Sequence, residues 1–237
     1  MFQKILYERS KKINSKIILA LDVDPNLDPS KTFSWCKNLI DVLESKLLAI
    51  KIGYPLLLTQ GLSETKKLIN YIKNKDPNMP IIGDFKVADI DITNQIIADK
   101  LSDIGFDAII FHLFVGLTGG YESLIKTLHE RKKASIGVVY MSHPGAEKIY
   151  EKIYQSLTID AVKNQIQGLV VPATNPKIIS NIKKLVGNDV FLLATGIGTQ
   201  GGNINKTIEL GADYVIIGRS IYLSKDPLKS LKNLQSN

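Results

Sequence analysis

Eight short runs of apolar and β-branched residues recur along the 237-residue chain, separated by longer segments with helical periodicity. Strands that are buried on both faces have continuous Val, Ile and Leu, which is typical of a parallel sheet covered by helices. The pattern therefore predicts an α/β fold, a single (β/α)8 TIM barrel over residues 1–237. We expect its strands at 17–22, 47–53, 81–86, 107–112, 135–140, 168–172, 190–194 and 214–218.

Local signals predict where some helices begin and end. Residues 1–16 should form a helix that packs across the bottom of the barrel. Ser30 or Thr32 is a plausible N-cap for a helix over 33–43, because short hydroxyl side chains satisfy free N–H groups there. A helix over 204–210 should end at Gly211, since glycine adopts the left-handed C′ conformation without a steric penalty.

The net charge of +7 raises the question of a nucleic-acid partner, because basic surfaces attract phosphate backbones. The lysines are scattered over helix faces, however, and we expect no nucleic-acid partner. No segment resembles a signal peptide, and the most apolar region, 47–58, is interrupted by Lys51 and Pro55, so we expect no membrane partner. Cys36 has no second cysteine to pair with, which favours a structural role and a cytoplasmic location.

Charged residues stand at the ends of the first three predicted strands, where a (β/α)8 barrel places its functional groups. They are Asp22, Lys51, and Asp84 with Lys86. Side chains alternate along a strand, so Asp84 and Lys86 should project together into the barrel, whereas Asp89 lies in the following loop. Charges at a barrel mouth are unfavourable unless they are paired. We favour a network that holds an ammonium beside a carboxylate; the alternative is a set of ion pairs that only closes the barrel.

A glycine-rich segment, G-I-G-T-Q-G-G at 196–202, follows the seventh predicted strand. It matches G-x-G-x-x-G, but only one strand remains after it, and that strand ends in Gly218-Arg219 rather than an acid, which disfavours a dinucleotide site. Many barrels bind phosphate on the loops after strands seven and eight. Glycine N–H groups approach an anion closely, and Arg219 can bind two phosphate oxygens. The segment therefore predicts a phosphate site, with a purely structural loop as the alternative.

The remaining polar candidates are weaker. Ser142 lies in a turn after strand five that could present its hydroxyl to a flat polar ring. His112 is expected to be a hydrogen-bonded barrel residue, and His129 a solvent-facing one. No set of His, Cys, Asp and Glu has the spacing of a metal site, so we expect no metal.

Taken together, these segments resemble orotidine 5′-phosphate decarboxylases of the short, single-function type, over residues 16–222. The D-x-K-x-x-D-I element alone would indicate only the wider superfamily, but the glutamine-bearing glycine loop and the final arginine follow it in order. Thr195 departs from the pattern, because these enzymes usually have proline there. This difference bears on the stiffness of the phosphate loop and not on the chemistry. The matching segments are L-A-L-D at 19–22, K-I-G at 51–53, D-F-K-V-A-D-I at 84–90, M-S-H-P-G at 141–145, G-I-G at 196–198, Q-G-G at 200–202 and G-R-S at 218–220.

The resemblance implies decarboxylation of orotidine 5′-phosphate (OMP) to UMP, the last step of de novo pyrimidine nucleotide synthesis, without a cofactor. It implies that Lys86 protonates the C6 carbanion, with Asp84 near the departing carboxylate. Both would belong to a catalytic charge network of Lys51, Asp84, Lys86 and Asp89. Lys51 would organise this network and touch the ribose.

The same resemblance implies which residues bind the substrate. Asp22 would bind the ribose hydroxyls, Ser142 the pyrimidine edge, and Gln200 and Arg219 the phosphate. A neighbouring subunit would contribute Asp89, Ile90 and Thr93, so that the working unit would be a homodimer. The substrate-binding set is Asp22, Ile90, Thr93, Ser142, Gly196, Gly198, Gln200, Gly218 and Arg219.

Two alternatives remain at this point. Sugar-phosphate decarboxylases and synthases on the same barrel share the D-x-K-x-x-D element, but they use Mg²⁺ held by acids, one from a glutamate-bearing strand. Strand two here ends in Lys51 and Gly53 without a glutamate. A non-catalytic nucleotide-binding barrel would keep Gln200 and Arg219 but would have no need for Asp84 and Lys86.

Overall fold

The computed structural model describes residues 1–236, which form a closed barrel of eight parallel strands paired in chain order. The predicted fold class is therefore confirmed, and each predicted strand boundary lies within two residues of the observed one. The strands are β1 (Ile17–Leu21), β2 (Ala49–Gly53), β3 (Ile81–Val87), β4 (Ala108–His112), β5 (Ala134–Val138), β6 (Gly168–Pro172), β7 (Phe191–Thr195) and β8 (Tyr214–Ile217).

Helices follow the strands and cover the outside of the barrel. They are α1 (Phe2–Ile13), α2 (Thr32–Leu43), α3 (Tyr54–Lys75), α4 (Asp91–Ile104), α5 (Glu122–Glu130), α6 (Glu147–Lys163), α7 (Pro176–Val186), α8 (Ile204–Glu209), α9 (Arg219–Tyr222) and α10 (Pro227–Ser236). Within residues 1–236 none of the helices is long and apolar enough to cross a membrane.

The barrel interior is filled with apolar side chains at its lower end, near the strand N-termini. Alternate strand residues such as Ile18, Ile136 and Leu193 point inwards and pack on one another. Helix α1 adds Phe2 and Leu6 to this inner cluster, and the Phe2 ring lies 6.1 Å from that of Phe191. Because this end is closed by apolar packing, the polar groups inside the barrel are gathered at the opposite end.

The helix ends agree with the sequence at one site and differ at another. Helix α8 ends at Glu209, and Gly211 follows it with φ 110°, as expected for a C′ glycine. Neither Ser30 nor Thr32 caps α2, so that prediction was wrong. The chain is already helical there, because a 3₁₀ turn over Pro29–Lys31 leads into α2, and the Asp28 carboxylate accepts the Ser30 N–H at the start of that turn.

Candidate active site

Four of the predicted charged residues meet at the carboxyl-terminal end of the barrel. The Lys51 Nζ lies 3.2 Å from Asp84 Oδ2 and 3.6 Å from Asp22 Oδ1. The Lys86 Nζ lies 2.8 Å from Asp84 Oδ1. Asp84 thus pairs with one lysine through each carboxylate oxygen, and Lys51 links it to Asp22. The strand ends position all four side chains, because parallel strands of a barrel end on the same face.

Burial and neighbouring charges shift the pKa values of this network in opposite directions. Burial alone would lower the pKa of Lys51, but the carboxylates of Asp84 and Asp22 outweigh it and raise the pKa above its ordinary value. Burial would likewise raise the pKa of Asp84, but Lys51 and Lys86 outweigh it and lower the pKa. Both groups are therefore charged at neutral pH, and removing either partner would leave an unpaired buried charge.

Lys86 has an unusual backbone. Its φ is 43°, and the pairing of β3 with β4 shifts register between Asp84 and Val87. A residue other than glycine in this left-handed region costs about 1–3 kcal/mol, and such strain is concentrated at functional sites. Simple alternation correctly predicts that Lys86 and Asp84 lie on the same side, but the chain reaches this geometry through a β-bulge.

A cavity of about 160 Å³ opens beside Lys86 and Asp84. Its other walls are apolar, apart from the hydroxyl groups of Ser142 and Thr195. An enclosed apolar slot with charged groups at one edge suits a flat, polar ring whose reacting atom faces those charges. The apolar lining consists of Ile110, Val138, Met141 and Val170.

A second cavity, of about 230 Å³, shares Asp84 and Thr195 with the first. Asp22 and Lys51 line one part of it, and the glycine loop with the start of α9 lines the rest. Arg219 is exposed and makes no ion pair within residues 1–236. Predicted phosphate-site residues that line this cavity are Gly196, Gln200, Gly218 and Arg219.

The glycine loop packs too tightly for larger residues. Gly196 has φ 93°, and a Cβ there would lie 3.0 Å from the Ser142 Cβ and 3.0 Å from Gln200 Oε1. Gly198 has φ 76°, and a Cβ there would lie 2.3 Å from Ser220 Oγ. Both glycines are thus required by backbone conformation and by close approach. The loop folds back on itself through the Gly202 N–H, which donates to the Gly196 carbonyl at 3.0 Å.

The predicted partner-facing residues lie apart from this network. Asp89 and Ile90 are exposed in the loop between β3 and α4, and Thr93 is half-buried in the first turn of α4. Asp89 Oδ1 accepts the Ile90 N–H at 2.7 Å, and no ion pair joins it to a lysine within residues 1–236. One chain therefore brings Lys51, Asp84 and Lys86 together but leaves Asp89 outside.

Asn94, which was not predicted from the sequence, is fully buried and holds this loop in place. Its Oδ1 accepts the Asp89 N–H at 3.0 Å, and its Nδ2 donates to the carbonyls of Asp89 and Gly120 at 2.6 and 2.8 Å. Tyr222 was also missed and lines the second cavity. No local sequence pattern distinguishes an asparagine on a helix, or a tyrosine shortly after a strand, from residues without a functional role.

The other candidates have structural environments. His112 is buried, its Nδ1 lies 3.2 Å from the Tyr150 hydroxyl, and burial together with the charge of Lys86 lowers its pKa to about 4. His112 is thus neutral at physiological pH. His129 is exposed, and Cys36 is a buried free cysteine. Within residues 1–236 no three His, Cys, Asp or Glu side chains are grouped so that they could hold a metal ion.

Comparison with known proteins shows the family to which the chain is related. Residues 15–234 match the family model of the orotidine 5′-phosphate decarboxylase / HUMPS family. An orotidine 5′-phosphate decarboxylase of Methanococcoides burtonii is 35% identical over 220 residues, 93% of this chain and 95% of that protein. One of Thermococcus kodakarensis is 37% identical over 93% of this chain and 95% of that protein. The Methanocaldococcus jannaschii enzyme, solved with the inhibitor BMP, superposes with a TM-score of 0.80 at 33% identity, covering 94% and 97% of the two chains.

Proposed function

The chain belongs to the orotidine 5′-phosphate decarboxylase / HUMPS family, and on that basis we propose that it decarboxylates OMP to UMP with Lys86 as the proton donor. The observation that carries this proposal is the contact of Asp84 with both Lys51 and Lys86 at the edge of an apolar cavity. This arrangement offers a fixed ammonium to a ring bound in the cavity. The positive φ of Lys86 supports the same assignment, because backbone strain is concentrated at functional sites.

The proposed chemistry needs charge stabilisation rather than an electron sink. When the bond between C6 and the carboxylate breaks, CO2 leaves and the electron pair stays on C6. The Lys86 ammonium stabilises this carbanion as it develops and then gives it a proton. Asp84 would lie near the substrate carboxylate and repel it. The Lys86 side chain is 37% exposed, so water can return the proton to the amine after each turnover.

The phosphate would contribute to binding and to the rate although it lies far from the reacting bond. In this proposal the base occupies the first cavity, and Asp22, Lys51 and the glycine loop with Arg219 surround the ribose phosphate in the second. Because the phosphate is remote from the reacting bond, its binding energy can position the ring and raise the rate as well as the affinity. Ser142 would read the pyrimidine edge, and Gln200, Gly196, Gly198 and Gly218 would support the phosphate.

We also propose that the working unit is a homodimer in which Asp89, Ile90 and Thr93 reach the partner's site. Apolar side chains are exposed around these residues, with Ile90 at 63% and Ile92 at 59%. Leu58 and Leu62 of α3 are exposed as well, at 77% and 54%. Exposed apolar side chains in this number are typical of a protein that buries them in an interface. A cytoplasmic location remains our expectation, on the grounds of the unpaired Cys36 and the pathway.

The competing function within the family is that of a Mg²⁺-dependent sugar-phosphate enzyme. Here β2 presents Lys51 where those enzymes would need a metal-binding glutamate, and Lys51 already pairs with Asp84 and Asp22. We therefore expect OMP turnover to be unchanged after treatment with EDTA, with no increase when Mg²⁺ is added. An enzyme silenced by EDTA and restored by Mg²⁺, with sugar phosphates as better substrates, would favour the competing function.

Arg219→Ala should selectively weaken binding of the phosphorylated substrate, because its exposed guanidinium lines the second cavity, and a guanidinium can bind two phosphate oxygens at once. We expect kcat/KM for OMP to fall by roughly tenfold to a hundredfold, as is typical for a lost charge-assisted contact. The value for the nucleoside orotidine, which lacks the phosphate, should hardly change. Equal losses of kcat/KM for the two substrates would show that the phosphate binds elsewhere.

A further inference from the structure

Thr195 occupies the point where the two cavities meet. It is the last residue of β7 and lines both the cavity beside Lys86 and the cavity beside Arg219. The residues two and four positions before it, Leu193 and Phe191, belong to the inner cluster, so strand alternation directs the Thr195 side chain into the barrel as well. A ligand that spans both cavities would therefore lie beside this side chain and that of Asp84, which also lines both.

The Thr195 hydroxyl is weakly engaged within the protein. Its only hydrogen bond among the described residues is to the Val171 carbonyl, at 3.5 Å, the outer limit of such a contact. A hydroxyl rotates to suit its surroundings and both donates and accepts. The backbone around it is firmly placed, because the Thr195 carbonyl accepts the Ala173 N–H at 2.7 Å. A positioned donor with a poor internal acceptor is available to a ligand.

We propose that the Thr195 hydroxyl binds an oxygen of the nucleoside part of the substrate, on the base side of the phosphate. This rests on the proposed function, which places the base in the first cavity and the ribose phosphate in the second. Thr195 is then a substrate-binding residue that fixes how the ring enters the slot beside Lys86. The proline that the family resemblance leads us to expect at this position would have no hydroxyl to donate.

The test compares Thr195→Val, which keeps the side-chain shape and removes the hydroxyl, with Thr195→Ser, which keeps the hydroxyl and removes the methyl group. For Thr195→Val we expect the Kd of UMP and the KM of OMP to rise about three- to tenfold, the range of one neutral hydrogen bond. The kcat should stay within about twofold, since the contact is made equally in the ground and transition states. Thr195→Ser should restore both binding constants to near the wild-type values.

A second comparison separates direct contact from an indirect effect through the glycine loop. If Thr195 touches the nucleoside, Thr195→Val should lower kcat/KM for orotidine by the same factor as for OMP. A loss confined to the phosphorylated compound would mean that Thr195 acts through the phosphate loop, which would overturn the proposed contact. Unchanged UMP affinity in Thr195→Val would overturn it as well. The UMP titration does not depend on turnover, so failure of the decarboxylase proposal would be recognised separately, by a wild-type chain that binds UMP but leaves OMP intact.

Discussion

Lys86→Ala is expected to lower kcat for OMP by at least about a thousandfold while UMP binding is largely retained. The loss is large because the variant lacks both the charge that stabilises the carbanion and the acid that protonates it, and removing a single preorganised donor typically costs about 10²–10³ in rate. UMP has a hydrogen at C6 and no carboxylate, so its affinity does not depend on these roles. Steady-state kinetics and a UMP titration on the same preparation measure the two effects.

Lys73→Ala is the matched control for this variant. The Lys73 side chain is 28% exposed and its Nζ lies 2.6 Å from Asp107 Oδ2, so it is also a half-buried lysine paired with an aspartate. It binds the Met79 carbonyl away from both cavities. We expect kcat of Lys73→Ala to stay near the wild-type value. If Lys86→Ala kept a tenth of wild-type kcat, the role assigned to Lys86 would be wrong.

Mixing two inactive variants should restore activity if the site is shared between subunits. Lys86→Ala and Asp89→Ala are each expected to be inactive, the second because Asp89 completes the partner's charge network. In a mixed dimer one site carries both defects, whereas the other takes Lys86 from one chain and Asp89 from the other and is intact. With statistical exchange, about half the dimers are mixed and half of their sites work, so roughly a quarter of wild-type activity should return.

The control for this experiment combines Lys86→Ala with Lys51→Ala. Both lysines contact Asp84 of their own chain, so every site in a mixed dimer lacks one of them. No activity should return in that mixture. If the first mixture also stays inactive although mass spectrometry shows mixed dimers, Asp89 acts within its own chain and the shared site is refuted.

The barrel was predictable because its strands are buried on both faces, so that continuous apolar runs mark them directly. The meeting of Asp22, Lys51, Asp84 and Lys86 was predictable for a related reason, since strand ends of a barrel share one face. The β-bulge at Lys86 was not, because the register shift depends on the pairing with β4 rather than on local sequence. The sequence therefore predicted the features whose geometry follows from a local pattern and did not predict the bulge.

Features that depend on tertiary contacts could not be predicted from the sequence. The buried Asn94 binds the loop of Asp89 and the Gly120 carbonyl, which lies 26 residues away, and no local pattern links them. The N-cap of α2 was wrongly predicted because Asp28 begins a 3₁₀ turn that continues into the helix. The glycine loop was predicted to be a phosphate site, rather than a dinucleotide site, only after the number of remaining strands was considered, which is a property of the whole fold.

We expect this barrel to remove CO2 from OMP with its own side chains. The most direct measurement incubates the wild-type protein, dialysed against EDTA, with OMP and quantifies the fall in ultraviolet absorbance, the UMP formed and the CO2 released. We predict equal amounts of UMP and CO2, with Lys86→Ala producing neither at a comparable rate. Unchanged OMP, or UMP formation that requires an added metal ion, would contradict this account.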